Sequence, residues 1–218
     1  MDIDRSVPLS PLAPKGLFLR DGVIGPDFMK EIVEAVVSSR SQLALVSSAG
    51  SLVLNQSYRN SHTVAVESET VRRIREIFES LRADLESFFD EPLGACQAPV
   101  FLRYGVGQYF RMHCDNAGDP RQPRHIRARR VSTVLFLNSA NADGLASVWA
   151  REPRFEGGEL ILYRLGQRVT WTDFYTIAVG RAGRVVAFGA DADHEVSTVT
   201  SGIRLSVVSW FEAAQTTV

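Results

Sequence analysis

Apolar positions change their period near the middle of this chain. Phe28, Ile32, Val33 and Val36 recur at helical spacing behind Pro26 and Asp27, where proline's missing N–H costs nothing. A second set follows Ser68: Val71, Ile74, Ile77, Phe78, Leu81, Leu85 and Phe88 predict one long amphipathic helix. Its other face carries Arg72, Arg73, Glu76 and Glu79 and reads as solvated. Gly16–Ile24 reads as a first strand, and residues 1–15, punctuated by proline, as a loose lead-in.

After Pro99 the pattern shortens. Phe101–Tyr104, Gln108–His113, Arg130–Asn138, Gly158–Arg164, Gly183–Gly189 and Ile203–Phe211 are β-branched or aromatic runs broken by Gly, Asp, Asn and Pro. Helices first and many strands later predict a mainly β fold with N-terminal helices (α+β), a sandwich or jelly roll. No repeat or linker divides the 218 residues, so one domain is expected. Within it, residues 1–15 are the lead-in, 16–95 a helical support and 96–218 the β core.

With 45% apolar residues the chain is too hydrophobic for disorder and can bury a core unaided. Its net charge of -1 argues against a general polyanion binder. Yet only Lys15 and Lys30 among its 24 basic residues are lysines. The arginine excess is either genomic skew or a supply of guanidinium forks for carboxylates and phosphates. Cys96 and Cys114 are too few for a disulfide framework, which favours a reducing compartment. Residues 1–14 lack a signal peptide's apolar core, and no run approaches the roughly 20 apolar residues of a membrane span. A cytoplasmic location without a membrane partner is expected.

The chemistry begins with His113 and Asp115, which share a face if they lie on one strand. Such a pair is often only a hydrogen bond. His194, opening the run after Gly183–Gly189, adds a third ligand from a distant strand. Two histidines and a carboxylate leave coordination positions open, the pattern of non-haem Fe(II) oxygenases, whereas structural zinc wants four ligands. Cys114 lies between two ligands on the opposite face and is expected to pack in the core. In the last strand, alternation sets Arg204, Ser206, Val208 and Trp210 on one face and Leu205, Val207, Ser209 and Phe211 on the other. An arginine there must reach solvent or find an anion, either a dicarboxylate co-substrate or an internal Asp or Glu.

His113-x-Asp115, His194 and Arg204 ten residues on resemble the Fe(II)/2-oxoglutarate dioxygenases, in particular the prolyl-4-hydroxylase-like group. Tyr58-Arg59-Asn60-Ser61 resembles that group's Arg-x-Ser strand, and Tyr104-x-x-Gly107-x-x-Phe110-x-x-His113 its metal strand. Thr133–Asn138 is similar to its Leu-Asn strand, and Phe155–Leu160 to its Gly-Gly-Glu turn. The resemblance implies a double-stranded β-helix (jelly roll) with Fe(II) at one mouth, held by His113, Asp115 and His194. It implies 2-oxoglutarate and O2 as co-substrates, release of succinate and CO2, and hydroxylation of a substrate C–H bond. Halogenating relatives have a small residue where Asp115 stands, so hydroxylation is favoured. Arg204 would take the far carboxylate of 2-oxoglutarate, with Ser206 and Tyr104 beside it. Phe136 stands where some members place a donating tyrosine. Tyr104 is otherwise a strand aromatic with a solvated hydroxyl.

Residues 121–130 hold five arginines and His125. They form a solvated loop, or a lid whose Arg121, Arg124 and Arg127 bind a substrate anion. Arg151 and Arg154 offer further anion contacts, and Trp210 is a pocket wall or core filler. Dealkylases of nucleic acid usually carry a second arginine at the position of Trp210, and no stacking series accompanies the basic run. A small carboxylate-bearing molecule, such as an amino acid or metabolite, is therefore the expected partner. Peptidyl proline is the alternative, ahead of nucleic acid or a non-enzymatic metal-binding jelly roll. The sequence leaves the oligomeric state open.

Overall fold

β-Branched and aromatic runs become strands here, and runs of period 3.6 become helices. The computed structural model describes residues 16–48, 51–141, 149, 151–163, 165 and 175–214, so the lead-in 1–15 lies outside the described residues. The chain opens with β1 (Leu17–Arg20), α1 (Pro26–Ser38), β2 (Ser41–Leu43), and the hairpin of β3 (Val46–Ser48) and β4 (Ser51–Val53). Next come β5 (Arg59–Asn60), β6 (His62–Val64), α2 (Ser68–Ser80), α3 (Arg82–Phe89) and β7 (Leu93–Cys96). The middle holds β8 (Val100–Tyr104), β9 (Tyr109–His113), α4 (Arg124–Arg127), β10 (Arg129–Phe136), β11 (Phe155–Gly157) and β12 (Leu160–Tyr163). The last strands are β13 (Tyr175–Ala178), β14 (Val185–Gly189), β15 (His194–Val196), β16 (Val199–Gly202) and β17 (Arg204–Ala213).

The major sheet runs β1-β14-β10-β17-β8-β6-β2, with β7 also pairing to β17, and the minor sheet runs β13-β12-β15-β9-β5. Every pair in both is antiparallel. One face of the major sheet is covered by helices: Ile32 and Val36 of α1, Phe78 of α2 and Leu85 of α3 pack with Leu135, Val185, Leu205 and Val207. Its other face packs on the minor sheet, where Val134, Phe136, Val186 and Phe188 meet Leu160, Leu162 and Ala178. β17 is therefore buried on both faces, as the alternation expected: Leu205, Val207 and Phe211 join the helix-side core. This is a jelly roll backed by helices. Among the described residues no helix is long and apolar enough to cross a membrane.

Three expectations change. The first strand stops at Arg20 rather than Ile24. The long helix breaks at Leu81 into α2 and α3, letting Leu81 and Leu85 bury completely against the sheet as it turns. Residues 16–95 are more than a helical support, because β1, β2, β6 and β7 complete the major sheet and β5 joins the minor one.

Helix burial against the sheet carries much of the stability. Phe78 is fully buried in that core, so Phe78→Ala should lower the unfolding free energy by about 3–5 kcal/mol. Val37→Ala on the exposed face of α1 should stay within about 0.5 kcal/mol. Denaturant midpoints at constant slope check both values.

Candidate metal centre and active-site cavity

β15 lies between β12 and β9, and its register sets His194 directly opposite His113. β9 ends at His113, and the chain turns so that Asp115 reaches the same point. One ligand atom from each of His113, Asp115 and His194 lies within 4.8 Å of the others. Nε2 of His113 is 3.9 Å from Oδ1 of Asp115, and Nε2 of His194 is 3.6 Å from Oδ2. Each imidazole is turned by its other nitrogen: Nδ1 of His113 donates to the Arg111 carbonyl at 2.8 Å, and Nδ1 of His194 to that of Ala192 at 2.9 Å. Those bonds leave both Nε2 lone pairs facing inward, as metal-ligating histidines require. Phe110 stacks on the His113 ring at 3.6 Å between centroids, and Phe188 meets His194 edge-on.

The protonation states suit the same purpose. Burial, and then the neighbouring His194, push the His113 imidazole down to about 3, so it is neutral near pH 7. Burial alone would raise the Asp115 carboxyl. The two histidines, the Ser132 hydroxyl and the Trp210 indole outweigh that and hold it below the usual carboxylate range. Ser132 Oγ donates to Asp115 Oδ2 at 2.7 Å. Two imidazoles with Nε2 turned inward and one oriented carboxylate fit a divalent first-row metal with positions left for other ligands. Cys114 does not pack in the core as expected. The strand has already ended at His113, and Cys114 lines the adjoining cavity.

That cavity, about 440 Å³, runs between the two sheets. Arg204 lies within its wall, opposite Tyr104 in the β8–β17 register. Its guanidinium sits 5.1 Å from the Tyr104 ring and 5.0 Å from that of Phe136. It is 1% exposed, donates to Ser206 Oγ at 2.8 Å, and has no carboxylate partner among the described residues. Nε is buried without any partner. The internal salt bridge weighed above is thus absent among the described residues, and burial pushes the Arg204 guanidinium below its usual range. Asn138 fixes the backbone on both sides of it: the Asn138 amide donates to the Ile203 carbonyl at 2.6 Å and accepts from Leu205 N–H at 2.9 Å. Gly158, at φ +61°, leaves the space its side chain fills, for a Cβ there would lie 3.0 Å from Arg204 Cδ.

The arginine-rich segment borders the cavity with different residues from those expected. Arg121, Arg124 and Arg127 are exposed and absent from the wall, which is formed by Gln122, His125, Ile126 and Arg129. Arg121 is held outward by a bidentate pair with Asp119, at 3.0 and 2.8 Å. Arg151 and Arg154 also lie off the wall. Trp210 is on it, and the Arg129 guanidinium stacks over its ring at 3.6 Å. Arg129 lies there because the β10–β17 register slips between residues 129 and 131, reversing the alternation a reader would extend back from Ser132. Arg59 of β5 is a second overlooked guanidinium on the wall, 4.5 Å over Phe110 and bonded to Ser61 Oγ at 3.0 Å.

Residues 99–212 match the model of the 2OG-Fe(II) oxygenase superfamily. A PKHD-type hydroxylase of Psychrobacter sp. (strain PRwf-1) is 33% identical over 53% of this chain and 38% of its own length. One of Methylobacterium nodulans is 32% identical over 72% of this chain and 63% of its own. The chain thus spans less than two thirds of these relatives. Among solved structures, a Pseudomonas putida prolyl-4-hydroxylase superposes with TM-score 0.64 at 18% identity, covering 92% of this chain and 94% of that one. A Trichoplax adhaerens prolyl hydroxylase, in complex with a hypoxia inducible factor oxygen degradation domain peptide fragment, gives TM-score 0.65 at 16% identity, covering 91% and 84%. At those identities the likeness speaks to the fold. Members of the superfamily use Fe(II), 2-oxoglutarate and O2, and by its family match this chain belongs to the 2OG-Fe(II) oxygenases.

Proposed function

We propose that this protein hydroxylates an unactivated C–H bond of a small carboxylate-bearing substrate, such as an amino acid or metabolite. One observation carries the reading: the His113–Asp115–His194 cluster and the Arg204 guanidinium, which has no carboxylate partner among the described residues, line the same cavity. When bound, Fe(II) with 2-oxoglutarate and O2 supplies the oxidising power, and the carbon skeleton leaves as succinate and CO2. His113, Asp115 and His194 hold the metal. Arg204 and Ser206 receive the far carboxylate of 2-oxoglutarate, in a socket walled by Tyr104 and Phe136. Leu102, Phe110 and Val208 make the intervening wall apolar and exclude water from the reacting carbon. Arg129 is held flat on Trp210 with Nε bonded to Gln97 at 3.0 Å, and its position suits a substrate carboxylate. Prolyl peptide is the second reading, supported by the prolyl hydroxylases among the similar structures.

The direct test is Fe(II)-dependent succinate formation from 2-oxoglutarate, stimulated by an amino-acid, carboxylate and prolyl-peptide panel. Arg204→Ala should raise the 2-oxoglutarate concentration needed by about 100-fold, the loss of a buried charge-assisted pair, while divalent-metal affinity is kept. Equal loss of metal would sink the assignment of Arg204, and absence of any 2-oxoglutarate binding would sink the enzymatic reading. Ser132→Ala frees an oxygen of Asp115 and should weaken Mn(II) binding to apoprotein by about 10–100-fold in a calorimetric titration. Unchanged Mn(II) affinity would show that the Ser132 bond does not orient the ligand.

A further inference from the structure

Between Asp115 and β10 the chain forms an arm with a fixed phase. Asn116, next to a proposed metal ligand, donates from its amide to the carbonyls of Arg127 at 3.1 Å and Arg129 at 2.9 Å, and accepts from Gly118 N–H at 3.0 Å. The Asp119–Gln122 turn is closed by Gln122 N–H to the Asp119 carbonyl at 3.0 Å, and Asp119 clamps Arg121 outward. Those contacts turn Gln122 to the cavity wall, and Ile126 of α4 is buried behind it. Gln122 Oε1 is buried there without a hydrogen-bond partner. Buried carboxamide atoms are normally hydrogen-bonded. Gln122 itself lines the cavity, so a modest rotation of its side chain would bring that oxygen to a molecule entering there, which would supply the missing donor.

We infer that Gln122 is a specificity-determining residue whose carboxamide oxygen accepts a hydrogen bond from a substrate N–H. The inference rests on the hydroxylase reading and narrows it. An acceptor at Gln122 and the Arg129 guanidinium, both on the cavity wall, together select a substrate carrying nitrogen with hydrogen beside a carboxylate or carbonyl oxygen. That is the pattern of an amino acid or a peptide unit, as opposed to a nitrogen-free carboxylic acid.

The test uses the Fe(II)-loaded full chain with 2-oxoglutarate and paired probes: L-amino acids and N-acetyl amino-acid amides, each against its nitrogen-free carboxylic analogue. Wild type should prefer the nitrogen-bearing member of a pair. Gln122→Leu should raise KM for that member about tenfold, the size of one neutral hydrogen bond, without raising it for the analogue. Gln122→Glu keeps an acceptor at the same reach and should restore KM for the nitrogen-bearing probe. Binding of 2-oxoglutarate by each variant, measured by calorimetry, confirms an intact cavity. Equal KM for the pair in wild type, or an unchanged KM in Gln122→Leu, overturns the inference and leaves the hydroxylase reading standing. If Gln122→Glu behaves as Gln122→Leu, the acceptor role is wrong. If 2-oxoglutarate binds but no probe of either kind stimulates succinate release, the inference falls together with the small-substrate reading.

Discussion

A guanidinium cannot be left in a protein interior without an anion unless the surrounding structure holds the vacancy open. Arg204 is in that position, and much of the fold can be read as the apparatus that keeps it there. β17 is central in the major sheet, buried by helices on one face and by the minor sheet on the other. Asn138 ties down the backbone before and after Arg204, and Gly158 clears space for its side chain. Ser206 satisfies one nitrogen, and the aromatic faces of Tyr104 and Phe136 partly compensate the charge. The Arg204 Nε stays without a hydrogen-bond partner among the described residues.

The His113–Asp115–His194 cluster follows from a different constraint, the antiparallel register of β9 and β15. Cross-strand partners in such a ladder sit close enough for side chains to share one target. Pairing His113 with His194 therefore places two imidazoles together, and backbone carbonyls choose the tautomer of each. Asp115 arrives from beyond the strand end and needs extra orientation, which Ser132 of the facing sheet supplies. The two sheets thus share the construction: one brings the ligands, the other aims the carboxylate.

Much of this was legible in the sequence because strand alternation and local spacing carry it. The inward set Arg204, Ser206, Val208 and Trp210 needs only period two, and all four line the cavity. His113, Asp115 and His194 stand out by residue type. Where tertiary contacts set the phase, the reading slipped. Arg121, Arg124 and Arg127 drew attention by charge, yet the Asp119 clamp and the Asn116 bonds rotate the arm so that Gln122, His125 and Ile126 face inward. Arg129 was hidden by a bulge, Cys114 by a strand that ends one residue earlier than alternation assumed, and the Leu81 break by apolar spacing that continues through it. Polar spacing alone does not encode such register slips.

The Asn116 bonds also couple the arm to the cluster. Swinging the arm away would break three hydrogen bonds on the residue next to Asp115 and pull directly on the metal-ligand cluster. Gln42, Leu43, Leu45 and Tyr58 line the opposite rim, and Tyr58 is tied to the ligand strand in turn: its hydroxyl donates to the Met112 carbonyl at 3.0 Å and its carbonyl accepts from Arg111 N–H at 2.9 Å. Both walls of the cavity are therefore hydrogen-bonded to residues beside the cluster, so a shift of either wall would be transmitted to His113 or Asp115.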